Sequence, residues 1–92
     1  MRHFLLHDGK DNVGVAVVDI KAGSEAAGVS LDGKTQLRIE ARQDIPLGHK
    51  LALKGFRPGE TIVKYGEDIG RVTADIQKGD HVHVHNLKTK RW

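Results

Sequence analysis

Ile45-Pro46-Leu47-Gly48-His49 decides how the rest of this chain is read, because its pattern returns three more times. The other copies are Ile20-Lys21-Ala22-Gly23-Ser24, Phe56-Arg57-Pro58-Gly59-Glu60 and Ile76-Gln77-Lys78-Gly79-Asp80. Each has an apolar residue, two variable residues, a glycine and a polar residue, and then runs toward a strand. Both prolines of the chain, Pro46 and Pro58, fall inside the pattern. Proline holds φ near about −65° and glycine tolerates positive φ, so each copy reads as a turn that buries its first residue and redirects the chain. The irregular spacing excludes a solenoid and fits one turn reused within a compact β fold.

Between the turns the residues alternate as strands do. Leu37, Ile39 and Ala41 fall on one face and Gln36, Arg38 and Glu40 on the other, the pattern of a half-buried strand over 35–41. Strands are also expected over 3–7, 13–18, 50–53, 61–64, 69–73 and 81–87. Only 24–27, closed by Gly28, reads as a helical turn. The expected fold class is mainly β, about seven short strands with glycine and proline corners, forming one domain over 1–92 with a basic tail over 87–92.

Composition limits what such a domain does. A 92-residue chain buries a modest core, so a site belongs at its surface rather than in a deep interior. The absence of cysteine excludes disulfides, thiolate zinc sites and thiol nucleophiles. No run approaches the roughly 18 apolar residues of a membrane span, and residues 1–8 hold too short an apolar run for a signal peptide. A cytoplasmic protein is therefore expected. The net charge of +3 is dispersed among acids except at Lys88, Lys90 and Arg91, which does not make a nucleic-acid footprint.

The chemistry concentrates in Asp80-His81-Val82-His83-Val84-His85-Asn86, which holds three of the six histidines. On a strand, His81, His83 and His85 share one face and the valines the other. Neighbours two apart lie about 6 to 7 Å from one another, close enough for two imidazoles to share an ion bound at about 2.0 to 2.1 Å. The outermost pair is twice as far apart, so a metal would take two of the three, for which His83 and His85 are put forward, with a further ligand from His49 or from a partner chain. The plain alternative is an exposed polar row on an edge strand. Asp80 is placed to set a ring tautomer, and Asn86 offers a neutral donor and acceptor to a substrate. Neutral imidazole also serves as a general base near pH 7. In 64–70, glycines bracket Glu67 and Asp68 beside Tyr65, as a tight loop or a solvated hairpin would have them. His49 and Lys50 suit a carboxylate.

Three segments, DIPLGHKLAL (44–53), KYGEDIG (64–70) and ADIQKGDHVHVHN (74–86), taken in that order, resemble the N-terminal SAF-type domain of the altronate and galactarate dehydratase family. Aspartate at 80 and valine at 84 stand where that family often has glutamate and threonine. The resemblance implies a β-clip fold and a metal-dependent lyase that removes water from sugar acids. In a related branch, sulfolactate sulfo-lyase, it implies loss of sulfite, with this domain as a separate small subunit. A chain ending six residues after Asn86 fits that split arrangement. The implied partner is a large catalytic subunit carrying most of a site for a divalent metal, Fe(2+) or Mn(2+), and homo-oligomers are expected through subunit assembly. The family pattern falls on Gly48, His49 and Lys50, on Lys64, Tyr65, Gly66, Glu67 and Gly70, and on His81, His83, His85 and Asn86. The expected roles are acid/base work for His49, His81, His83 and His85, and substrate contact for Lys50, Asn86, Tyr65 and Glu67. The competing reading is a non-catalytic module that binds a carbohydrate or sugar acid, or scaffolds an assembly.

Overall fold

The four glycine turns close on one another in two pairs. In a computed structural model of the chain, which describes residues 2–7, 10–64, 67–83 and 85–89, Ile20 bridges Ile45 and Phe56 bridges Ile76. All four of these side chains are buried. In every turn the N–H of the fifth residue donates to the carbonyl of the second: Ser24 to Lys21, His49 to Pro46, Glu60 to Arg57 and Asp80 to Gln77, at 2.9 to 3.1 Å. The glycine before that fifth residue has φ of 85°, 86°, 92° and 92° in Gly23, Gly48, Gly59 and Gly79. This is the third position of a type II turn, which favours glycine.

The bonding repeats within each pair as though about a local twofold axis. Gly23 N–H donates to the Ala41 carbonyl and Gly48 N–H to that of Ala16, while Ala41 N–H donates to Ser24 and Ala16 N–H to His49. Side chains follow the same rule: Leu47 N–H donates to Asp19 Oδ1 and Ala22 N–H to Asp44 Oδ1, both at 2.9 Å. The second pair repeats the backbone bonds, with Gly59 to Val72, Gly79 to Ala52, Val72 to Glu60 and Ala52 to Asp80. The recurring phrase of the sequence is thus one jaw of a two-jawed clip.

Among the described residues nine strands run between and beside the turns: β1 (Phe4–Leu6), β2 (Val13–Ala16), β3 (Glu25–Ser30), β4 (Gln36–Glu40), β5 (Lys50–Ala52), β6 (Thr61–Lys64), β7 (Glu67–Val72), β8 (His81–Val82) and β9 (Leu87–Thr89). Six form a sheet in the order β4-β3-β1-β2-β5-β8 and three a second sheet in the order β6-β7-β9. Two apolar clusters result, one around Phe4, Ile20, Ile39, Ile45 and Leu51, the other around Val13, Phe56, Ile62, Ile76 and Val82. Asn12 ties the sheets together: its Oδ1 accepts from Val63 N–H at 2.7 Å and its Nδ2 donates to the Thr61 carbonyl at 3.2 Å. Among the described residues no helix is long and apolar enough to cross a membrane.

The mainly β, clip-like expectation holds, with three differences. Residues 25–30 form strand β3 rather than part of a helical turn, pairing parallel to β1 and antiparallel to β4. Alanine and glycine are poor strand formers alone, but here they leave room for the buried Phe4 ring, which a Cβ at Gly28 would overlap. The row over 81–87 is not one strand, since β8 stops at Val82. Leu87–Thr89, expected to begin a tail, is β9 and pairs with β7.

Candidate histidine site

Asn86 bends the histidine row. Its Nδ2 donates to the His81 carbonyl at 2.8 Å and its Oδ1 accepts from His83 N–H at 2.9 Å. The N–H groups of Asn86 and Leu87 both donate to the His83 carbonyl, at 3.1 and 2.9 Å, closing a turn. Asn86 is 6% exposed. Asn86, expected to meet substrate, has both ends of its amide bonded to the backbone of His81 and His83. In Asn86→Ala two part-buried backbone groups lose their partners, so a destabilisation of about 1 to 3 kcal/mol is expected in urea unfolding.

The turn gathers rings that a straight strand would spread. His81 and His83 have centroids 5.6 Å apart, with planes inclined by 11°. His85, exposed, has its ring 5.3 Å from that of His81, not at the far end of a row. His49 joins from the fifth position of its turn. The β5–β8 register pairs Lys50 with Val82 and Leu51 with His81, and one more step sets His49 opposite His83. Their rings stack at 4.2 Å, and His49 Nδ1 lies 2.8 Å from His81 Nε2. One of these two nitrogens carries the hydrogen and the other supplies a lone pair, so the contact requires at least one neutral imidazole.

One ring nitrogen each from His49, His81 and His83 lies within 4.8 Å of the others. Donors bound at about 2.0 to 2.1 Å in a tetrahedral arrangement are about 3.4 Å apart. The 2.8 Å His49–His81 contact and the 4.8 Å limit bracket that spacing. The three half-buried imidazoles therefore fit a divalent ion with modest ring rotation and leave coordination positions open. His85, which sequence reasoning pairs with His83 on a metal, stands outside this trio, and His49 stands within it.

The other expected residues are dispersed. Lys50 is half-buried in β5 beside His49, and burial, with Lys64 nearby, lowers its pKa. Asp80 does not orient a ring: its Oδ2 accepts from Gln77 N–H at 2.7 Å and its Oδ1 lies 3.6 Å from Arg42 Nη1. Glu67 is exposed at the start of β7, opposite Lys64. Tyr65 lies outside the described residues. Gln43, unmarked in the sequence, accepts from His81 N–H at 2.8 Å through Oε1. A lone glutamine before an Asp-Ile-Pro turn carries no signal that a sequence reading could have used.

Desolvation, and then the neighbouring His49, His85, His83 and Lys50, lower the pKa of His81 below the ordinary 6.5. Desolvation first, followed by His49, Lys50 and His85, does the same for His83. Neutral imidazoles, the form that binds metal or accepts a proton, are therefore favoured at pH 7. The unfolded chain takes up protons first as pH falls, so stability is full above about 6.5 and is lost as pH drops through 6.5 toward the folded values. Urea unfolding in chelator is expected to give a lower midpoint at pH 5.5 than at pH 7.5, and a His81→Gln/His83→Gln variant a smaller difference. An unchanged difference in that variant would exclude these residues as its source.

Two pairs of turns, an all-strand domain and an open corner of histidines define a small β scaffold with half-exposed nitrogen donors. The chain belongs to the altronate/galactarate dehydratase SAF domain family, whose pattern matches residues 2–90. It is 49% identical to (2R)-sulfolactate sulfo-lyase subunit alpha of Chromohalobacter salexigens, over 97% of this chain and 96% of that one. With the subunit of the same name from Paracoccus pantotrophus it shares 53% identity over 58 residues, 87% of that protein. The altronate dehydratase of Bacillus subtilis is 43% identical over 97% of this chain, a stretch that makes up only 17% of that enzyme.

Proposed function

We propose that this chain is the small subunit of a metal-dependent lyase that eliminates water or sulfite from a hydroxy or sugar acid, together with a separate large catalytic subunit in the cytoplasm. The observation that carries this reading is the trio of ring nitrogens within 4.8 Å on the surface of a domain of this family. Its close similarity to sulfo-lyase alpha subunits over nearly their whole length supports the two-chain arrangement and sulfite as the leaving group.

His49, His81 and His83 are the residues that would hold the ion, and imidazole donors with open positions suit Fe(2+) or Mn(2+) completed by oxygen ligands from the large subunit. A divalent ion bound there supplies positive charge against the negative charge that builds up on the substrate as its α-proton leaves. Lys50 clamps a substrate carboxylate from beside the trio. His85, exposed next to His81, is free to act as acid or base. Asn86 and Gln43 hold His81 and His83 in place through the backbone.

The test is co-expression with the large subunit, followed by assays for sulfite release and for dehydration. Turnover is expected from the complex and none from the lone chain, which should bind Mn(2+) with weak, measurable affinity. A lone chain that turns over the acid, or a complex unaffected by His83→Ala, would refute the reading. A complex inactive on every acid, with a lone chain that still binds sugar acids, would favour a non-catalytic binding module.

A further inference from the structure

Gln43 lies on the exposed segment between β4 and the turn that starts at Ile45, and its side chain reaches across to the start of β8. Three further contacts lock the two segments together. Arg42 N–H donates to the Gly79 carbonyl at 2.9 Å, Arg42 Nη1 lies 3.6 Å from Asp80 Oδ1, and the Glu40 carbonyl packs so closely on Gly79 that a Cβ there would overlap it. Residues 40–43 and 79–81 are thus held as one unit, and Gln43 is fixed relative to His81.

The orientation of the Gln43 amide follows from chemistry. A backbone N–H only donates, so the atom facing His81 N–H at 2.8 Å is the carbonyl oxygen. The NH2 group points elsewhere. With O and N of one amide about 2.2 Å apart, Nε2 lies within about 5 Å of the His81 backbone nitrogen. Among the described residues Nε2 meets no acceptor. A neutral double donor on an exposed residue is therefore held within about 5 Å of the backbone nitrogen of a histidine of the trio.

We propose that Gln43 is a substrate-contacting residue: anchored on His81 through Oε1, it donates from Nε2 to an anionic oxygen, carboxylate or sulfonate, of the acid held at the histidine site. This rests on the lyase reading above and adds to it a specificity residue outside the histidines and Lys50. A charge-assisted bond of this kind contributes orientation as well as affinity, and an uncharged donor recognises the acid without placing a further cation beside the imidazoles.

The two functions of the amide are separable. In Gln43→Glu the carboxylate still accepts from His81 N–H, so the anchor remains, while the donor face becomes an anion. In Gln43→Ala both are lost. The complex with the large subunit is titrated calorimetrically with (2R)-sulfolactate and with altronate, the acids in the relatives' names, and the lone chain with Mn(2+). The expected result for Gln43→Glu is acid binding weakened about tenfold or more, with an unchanged thermal midpoint and Mn(2+) affinity within about twofold of the parent. Unaltered acid binding in Gln43→Glu alongside weakened binding in Gln43→Ala would overturn the proposal in favour of a backbone anchor alone. A loss of Mn(2+) affinity matching the loss of acid affinity would also overturn it. His81→Ala run in parallel separates the failures. If it weakens acid binding and Gln43→Glu does not, only the Gln43 assignment falls; if the parent complex binds neither acid, or neither variant has an effect, the lyase reading falls with it.

Discussion

Under the proposed lyase function, His81→Ala assembled with the proposed large subunit is expected to lower turnover by about two to four orders of magnitude, the range associated with loss of an acid/base group or a metal ligand together with its supports. His81 is the hub of the cluster. It makes the 2.8 Å contact with His49, its ring lies 5.6 Å from that of His83 and 5.3 Å from that of His85, and its peptide group is bonded on one side to Gln43 and on the other to Asn86. Removing the ring leaves those backbone bonds in place, so circular dichroism and the urea midpoint should change little while turnover collapses. His85→Ala keeps the trio of His49, His81 and His83 and should cost less, roughly tenfold to a hundredfold. Steady-state assays of the two variants side by side check both statements. If His81→Ala retained more than half of the parent turnover, the cluster would be structural.

Gly79→Ala carries the largest expected loss of stability. Gly79 has φ of 92°, a conformation in which a side chain costs about 1 to 3 kcal/mol. A Cβ there also overlaps the Glu40 carbonyl oxygen, and overpacking of this kind adds about 1 to 3 kcal/mol. Backbone faces backbone at that point, so neither side yields easily. The sum is a large fraction of the stability of a domain this size, and a fall in thermal midpoint of more than about 10 °C is expected by calorimetry. Gly48→Ala is the control: its φ is 86° but a Cβ there meets nothing within 4 Å, so only the conformational part should be lost. Equal losses in the two variants would rule out the Glu40 contact as the cause.

The turns were the legible part of the fold, because glycine at a positive-φ position and an apolar residue three places before it leave a local signature. Their pairing was not legible: nothing in Ile20 or Ile45 alone says that they bridge each other. Strand β3 was misread for a related reason. Gly28 leaves room for Phe4, more than twenty residues away, and a window reading cannot weigh that constraint. At the site, sequence drew attention to the histidines and to His49 as an added donor, but it treated 81–87 as straight. The bend depends on Asn86, a residue that reads equally well as a ligand-binding group or as a backbone clamp. Asp80 pointed the other way from the expectation because its turn and Arg42 claim both oxygens.

The local twofold pattern has a bearing on how such a site arises. Ser24 and His49 occupy matching corners of the first clip, as Glu60 and Asp80 do in the second, and in each case the backbone bonds that close the corner are the same. The corner residue is therefore an interchangeable seat. A serine, an imidazole or a carboxylate can sit there while main chain alone holds the frame, so reactive groups can be exchanged at these seats without redesign of the fold. Of the four, the seat at residue 49 is the one whose side chain meets the rings of His81 and His83, and position in the frame, more than the identity of any one turn, makes that corner chemical.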